Sequence, residues 1–92
     1  MKTKVEYLIN EIVANYNIYQ GMKTEQQLYL AEHPGNRLAM SELERINGVL
    51  YVLGKIIKCG IDDPLETTQR TDESFLTGEA FSYTAYKWID EP

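Results

Sequence analysis

Residues 79–89 read "EAFSYTAYKWI", and the fold class turns on them. Two periods fit. Phe81, Ala85, Trp88 and Ile89 share one face of a helix, while Phe81, Tyr83, Ala85, Lys87 and Ile89 alternate as on a strand. A lone strand has nothing to pair with. Upstream, "TTQRTDES" at 67–74 is polar throughout and reads as a linker, within a polar linker or loop over 67–78. The helix reading is therefore preferred, which makes the expected fold all-α. The alternative is an α+β fold with a C-terminal strand.

The segment before the linker, "IDDPLE", looks like a helix start. Asp63 is placed as cap, Pro64 at the first helical position and Glu66 at the box position.

Further upstream, "INGVLYVLGKIIKCG" at 46–60 is apolar but broken by Gly48 and Gly54. A hairpin turning at Asn47-Gly48 needs alternating flanks, and Leu43 and Ile46 are spaced by three. On a helical wheel Ala39, Leu43, Ile46, Val49, Leu50, Val52, Leu53, Ile56 and Ile57 fill about half of the circumference. Ser41 and Glu44 offer a capping box, and Gly60 sits where a C-cap belongs. The spacing 43, 46, 50, 53, 57 is the seam of a helix pair. Its arc is wider than one partner helix covers, so a third helix or a second copy of the protein is expected on the remainder.

The partner is "TKVEYLINEIVANYNIYQ", residues 3–20. Thr3 and Glu6 form a capping box. Val5, Leu8, Ile9, Ile12, Val13, Tyr16 and Tyr19 share one arc, with Glu6, Asn10 and Asn17 opposite. Tyr7, Ala14 and Ile18 run down the back, either as scattered surface residues or as a second contact face. Gly21 is expected to end this helix. Thr24 and Gln27 cap a short one after it, and "HPGN" at 33–36 is a loop. The expected core is an antiparallel hairpin of helices at about 3–20 and 38–59, with a shorter C-terminal helical segment, in a single domain over 1–92.

Bulk properties narrow the function. The 92 residues carry a net charge of −5, split as +1 over residues 1–59 and −6 over 60–92. That balance disfavours nucleic acid and anionic membranes as partners, and the acidic third suits a basic protein surface. A single cysteine, Cys59, rules out an internal disulfide and fits a reducing compartment. With no apolar run of membrane-spanning length and no signal-peptide pattern, a cytoplasmic location is expected.

No catalytic constellation emerges, and no enzyme activity, metal or cofactor is expected. A nucleophile would have to be Cys59 or a Ser/Thr, with His33 as base, yet Cys59 lies near a helix C-terminus, where the dipole opposes a thiolate. Asp62-Asp63 and Asp72-Glu73 read as caps and linker. Gly48 and Gly54 match no phosphate-binding loop.

What remains is surface. Tyr51 projects from the polar face of the second helix, with Lys55 a turn later, Gly48 a turn earlier and Arg45 nearby. This patch suits a protein partner, or a nucleotide ring with phosphates on Lys55 and Arg45, or is plain solvated surface. Gly54, Tyr7, Ile18 and Trp88 are the expected interface residues of a homo-oligomer, a dimer or higher.

In size, acidity and lack of catalytic groups the chain resembles the small accessory proteins of bacteriophages and mobile elements. Many of these inhibit host enzymes or defence systems by binding, and some trap signalling nucleotides inside oligomers. The resemblance covers no motif and transfers no residue. The expected function is a non-enzymatic protein-binding module, of which a phage or mobile-element inhibitor acting by surface occupation is one form. The alternatives are an oligomeric nucleotide-sequestering protein and a structural assembly component.

Overall fold

A computed structural model describes residues 3–61 and 65–88. The element order is α1 (Lys4–Glu32), α2 (Arg37–Gly60), β1 (Thr67–Glu73) and β2 (Ala80–Tyr86). The chain is thus α+β, not all-α. The segment read as a C-terminal helix is β2, and the segment read as a polar linker is β1, its antiparallel partner. The proposed cap of "IDDPLE", Asp63 with Pro64, and Ile89 of the proposed final helix lie outside the described residues.

Why a strand wins at 80–86 is plain from the pairing. Register places Thr68 opposite Ala85, Arg70 opposite Tyr83 and Asp72 opposite Phe81. One face of β2 is buried, with Phe81 9% and Ala85 1% exposed. The other face carries a polar ladder. Gln69 Nε2 donates to Thr84 Oγ1 at 2.7 Å, and the Thr71 and Ser82 hydroxyls lie 3.0 Å apart. A two-stranded ribbon is marginal alone, so this one depends on the helix beneath it.

That helix is α1, and it is longer than its sequence suggests. Thr3 is the N-cap, its side chain accepting from the Glu6 amide at 3.1 Å. Gly21 does not end it, and the short helix expected at residue 24 is its continuation. Gly21 is buried and serves a close approach instead. A Cβ there would lie 3.2 Å from Tyr83 Cζ, so the missing side chain lets the Tyr83 ring sit against the helix.

A loop through Pro34 and Gly35 turns the chain into α2. Its N-cap is Asn36, whose Oδ1 accepts from the Ala39 amide at 2.9 Å, in place of the expected cap at Ser41. Gly60 is the last helical residue and Ile61 the C-cap. Contacts between the helices descend in one as they ascend in the other: Tyr29 with Asn36, Tyr19 with Arg45, Tyr16 with Gly54. The helical hairpin is antiparallel. Ile46, Leu50 and Ile57 of the expected seam are buried, and Leu43 and Leu53 are half-buried.

α1 therefore has two neighbours, α2 on one side and β2 on the other. The second contact is not built on Tyr7 and Ile18, which are 61% and 58% exposed. It is built on Asn17, Gly21 and Glu25, four residues apart and on one face. Among the described residues no helix is long and apolar enough to cross a membrane.

Candidate functional site

The turn joining the strands is held by an unusual number of polar contacts for its size. Ser74 is its hub and is 4% exposed. Its Oγ donates to Glu25 Oε2 at 2.8 Å and accepts from the amides of Leu76 and Thr77, both at 3.1 Å. Its backbone closes the loop, the amide donating to Glu79 O and the carbonyl accepting from Gly78 N–H. Gly78 has φ +75°, a conformation that a side chain opposes. Glu25 Oε2 also accepts from the Phe75 amide at 2.7 Å. One carboxylate on α1 thus pins the turn to the helix through a side chain and a backbone group.

This scaffold holds Phe75 in solvent. Its exposure is 99%, and neighbouring Leu76 is 46% exposed. Phe75 rims a shallow depression on α1 and the sheet, lined also by Ile18, Met22, Phe81 and Tyr83. Carboxylates border the same depression: Asp72 and Glu73 of β1, and Glu25. The arrangement is an apolar knob on a braced turn within an acidic surround. Burying a Phe side chain is worth about 1.5–3 kcal/mol, and none of the described residues takes that up.

The surface residues singled out from sequence fall elsewhere. Tyr51 is 65% exposed, and Lys55 Nζ already lies over its ring, 5.5 Å from the centroid. Gly48 faces open space. Arg45 does not join them. It bonds Glu42 through Nε and Nη2, at 3.0 and 2.8 Å, and lies over the Tyr19 ring. That pairing holds the Glu42 carboxyl below its ordinary pKa, because the charged form receives the guanidinium hydrogen bonds.

A Cβ at Gly54 would lie 3.7 Å from Tyr16 Cε2, an ordinary contact distance, so the nearest neighbour of this position is within the chain. Trp88 is 44% exposed just beyond β2. Cys59 and His33 are not brought together. His33 stacks on Tyr29 in the helical turn, ring centroids 4.3 Å apart, whereas exposed Cys59 lies at the far end of α2, about 30 Å along the helix. Among the described residues no group of three His, Cys, Asp or Glu is placed to hold a metal ion.

Phe75 is the residue that sequence reasoning missed. It is the lone aromatic of the polar stretch 67–78, a signal that a linker reading leaves without meaning.

Compared with known proteins, the chain matches no family model, no curated protein and no solved structure.

Proposed function

We propose that this chain is a non-enzymatic protein-binding module whose recognition element is the Ser74–Gly78 turn. Phe75 enters an apolar pocket of the partner, and basic groups on the pocket's rim face Asp72, Glu73 and Glu25. The observation that carries this reading is a 99% exposed phenyl ring on a turn pinned by Glu25. A protruding aromatic is the residue type that dominates binding energy at interfaces. Bracing it beforehand lowers the ordering cost on association, and a surrounding field of one sign selects and steers an oppositely charged partner. The module acts by covering a surface of its partner, the mode of a proteinaceous inhibitor.

The test places a photoreactive benzoylphenylalanine at position 75 and irradiates the protein in lysate of its source cell. A discrete cross-linked species is expected. Excess unlabelled wild-type chain should suppress it, and Phe75→Ser should not. No adduct, or equal competition by Phe75→Ser, overturns the reading.

A further inference from the structure

The two flanks of α2 differ. Gly54 lies on the flank whose α1 neighbour, Tyr16, meets Tyr86 of the sheet, ring centroids 5.2 Å apart. Arg45, over Tyr19, lies on the other flank, half a turn around the helix. Val49, Val52 and Ile56 fall on the Arg45 side, away from the sheet, and on α1 Val5, Leu8 and Ile12 fall on the matching side. Val5 is 65%, Leu8 61%, Val52 55% and Ile56 41% exposed. The sheet thus covers one side of α1, and the apolar face that the two helices share on the other side is covered by none of the described residues.

The chain exposes 6524 Å², against about 5,500 Å² for a compact monomer of its mass. The excess, about 1,000 Å², is close to the ~800 Å² that each partner contributes to a standard interface. Its radius of gyration, 14.7 Å, exceeds the ~12 Å of a compact domain of this length. Its shortest dimension is 17 Å.

Charge says what fits. α1 carries two Lys/Arg and four Asp/Glu, net −2, while α2 carries four and two, net +2. A second hairpin laid with its α2 on this α1, and its α1 on this α2, sets a net-acidic helix against a net-basic one at both contacts. We propose that the open face docks a second copy of this chain, so that two helical hairpins form a twofold-symmetric four-helix bundle with the sheets outside. This proposal stands on a different surface from the Phe75 turn.

Sedimentation equilibrium of the full chain tests it, from about 1 to 500 µM. A species of twice the 10.6 kDa chain mass is expected. Val52→Glu puts a carboxylate against the acidic helix of the partner copy, and Leu8→Lys an ammonium against the basic one. Each should weaken dimerisation at least tenfold. Tyr51→Glu, off this face, and Phe75→Ser should leave it unchanged. Both altered positions are solvent-exposed in the single chain, and circular dichroism of the monomers checks that they remain folded.

A nitroxide on Cys59, the single cysteine, supplies a second readout, because dipolar coupling arises only between copies. A 10.6 kDa mass throughout, open-ended assemblies, or a dimer indifferent to both Val52→Glu and Leu8→Lys overturns the proposal.

Discussion

The side chain of Asn17 takes both backbone groups of Tyr86. Its Nδ2 donates to the Tyr86 carbonyl at 2.9 Å, and its Oδ1 accepts from the Tyr86 amide at 2.9 Å. A carboxamide has the donor and acceptor of a peptide group, so α1 here supplies the end of β2 with the pairing a third strand would give. Asn17 is 4% exposed, and eight residues on, Glu25 fastens the other end of the ribbon. Between them Gly21 admits Tyr83. Docking of the sheet rests on these three positions of one helix face.

Asn17→Ala should therefore be among the costliest single substitutions in the chain. It strands a donor and an acceptor, for a loss of about 2–4 kcal/mol and a fall in Tm on the order of 10–25 °C. Asn17→Asp separates the two bonds. It keeps an acceptor for the Tyr86 amide but sets a carboxylate against the Tyr86 carbonyl. Its protonated form restores a donor, so the folded-state pKa of that acid should be raised. Stability is then greatest below the unfolded carboxyl pKa and is lost as pH rises through the folded one. Thermal melts of the three proteins from about pH 4 to 7 check this. An Asn17→Asp variant as stable as wild type at neutral pH would show that the two bonds carry little.

Gly21 and Gly48 should respond oppositely to alanine. Each gains about 1 kcal/mol of helix propensity. At Gly48 nothing lies within 4 Å of the added Cβ, so the gain is expected in full. At Gly21 the Cβ meets the Tyr83 ring at 3.2 and 3.3 Å, and overpacking of about 1–3 kcal/mol opposes it. A net loss is expected. In a Tyr83→Ala background Gly21→Ala should instead stabilise, which a double-mutant cycle in denaturant resolves as a coupling of at least about 1 kcal/mol. Additivity would mean that the ring moves aside at no cost.

What could be read from the sequence was what local chemistry dictates. The cap at Thr3 and the three-four seam of α2 are encoded within a turn or two of themselves, and both are present. β1 is different. "TTQRTDE" has no apolar face, and its contacts among the described residues are chiefly with β2. It exists through backbone pairing with a strand seven residues further on, and the β-branched Thr67, Thr68 and Thr71 are its only local trace. Gly21 carries the usual mark of a helix end, yet its purpose is the ring of Tyr83, some sixty residues away. Asn17 falls on the polar side of the helical wheel, but its partner is the half-buried backbone of Tyr86. Phe75 gains meaning as a site only once Glu25 is seen to brace its turn.

Glu25→Ala should loosen the turn without removing Phe75. The Ser74 hydroxyl loses its acceptor and the Phe75 amide its carboxylate, at a cost of about 1–3 kcal/mol. Hydrogen exchange at the Phe75 amide should approach the rate of an open chain. Glu25→Gln keeps an oxygen acceptor but loses the charge that strengthens both bonds, so intermediate protection is expected. If Glu25→Ala leaves the Phe75 amide as protected as before, the carboxylate does not hold the turn.

The last prediction concerns alkaline pH. Burial, and to a smaller degree the neighbouring Tyr86, raises the Tyr16 pKa above its ordinary 10.0. The unfolded chain therefore ionises this phenol first. The stability linked to it is complete below pH 10.0 and is lost as pH climbs through the higher folded-state value. Tyr16→Phe keeps a ring against Gly54 and Tyr86 while removing the titrating group. The two proteins should melt alike from about pH 7 to 9, and above that range the wild type should lose Tm faster. Parallel Tm curves across the alkaline range would show that Tyr16 ionises as freely in the folded chain as in the unfolded one.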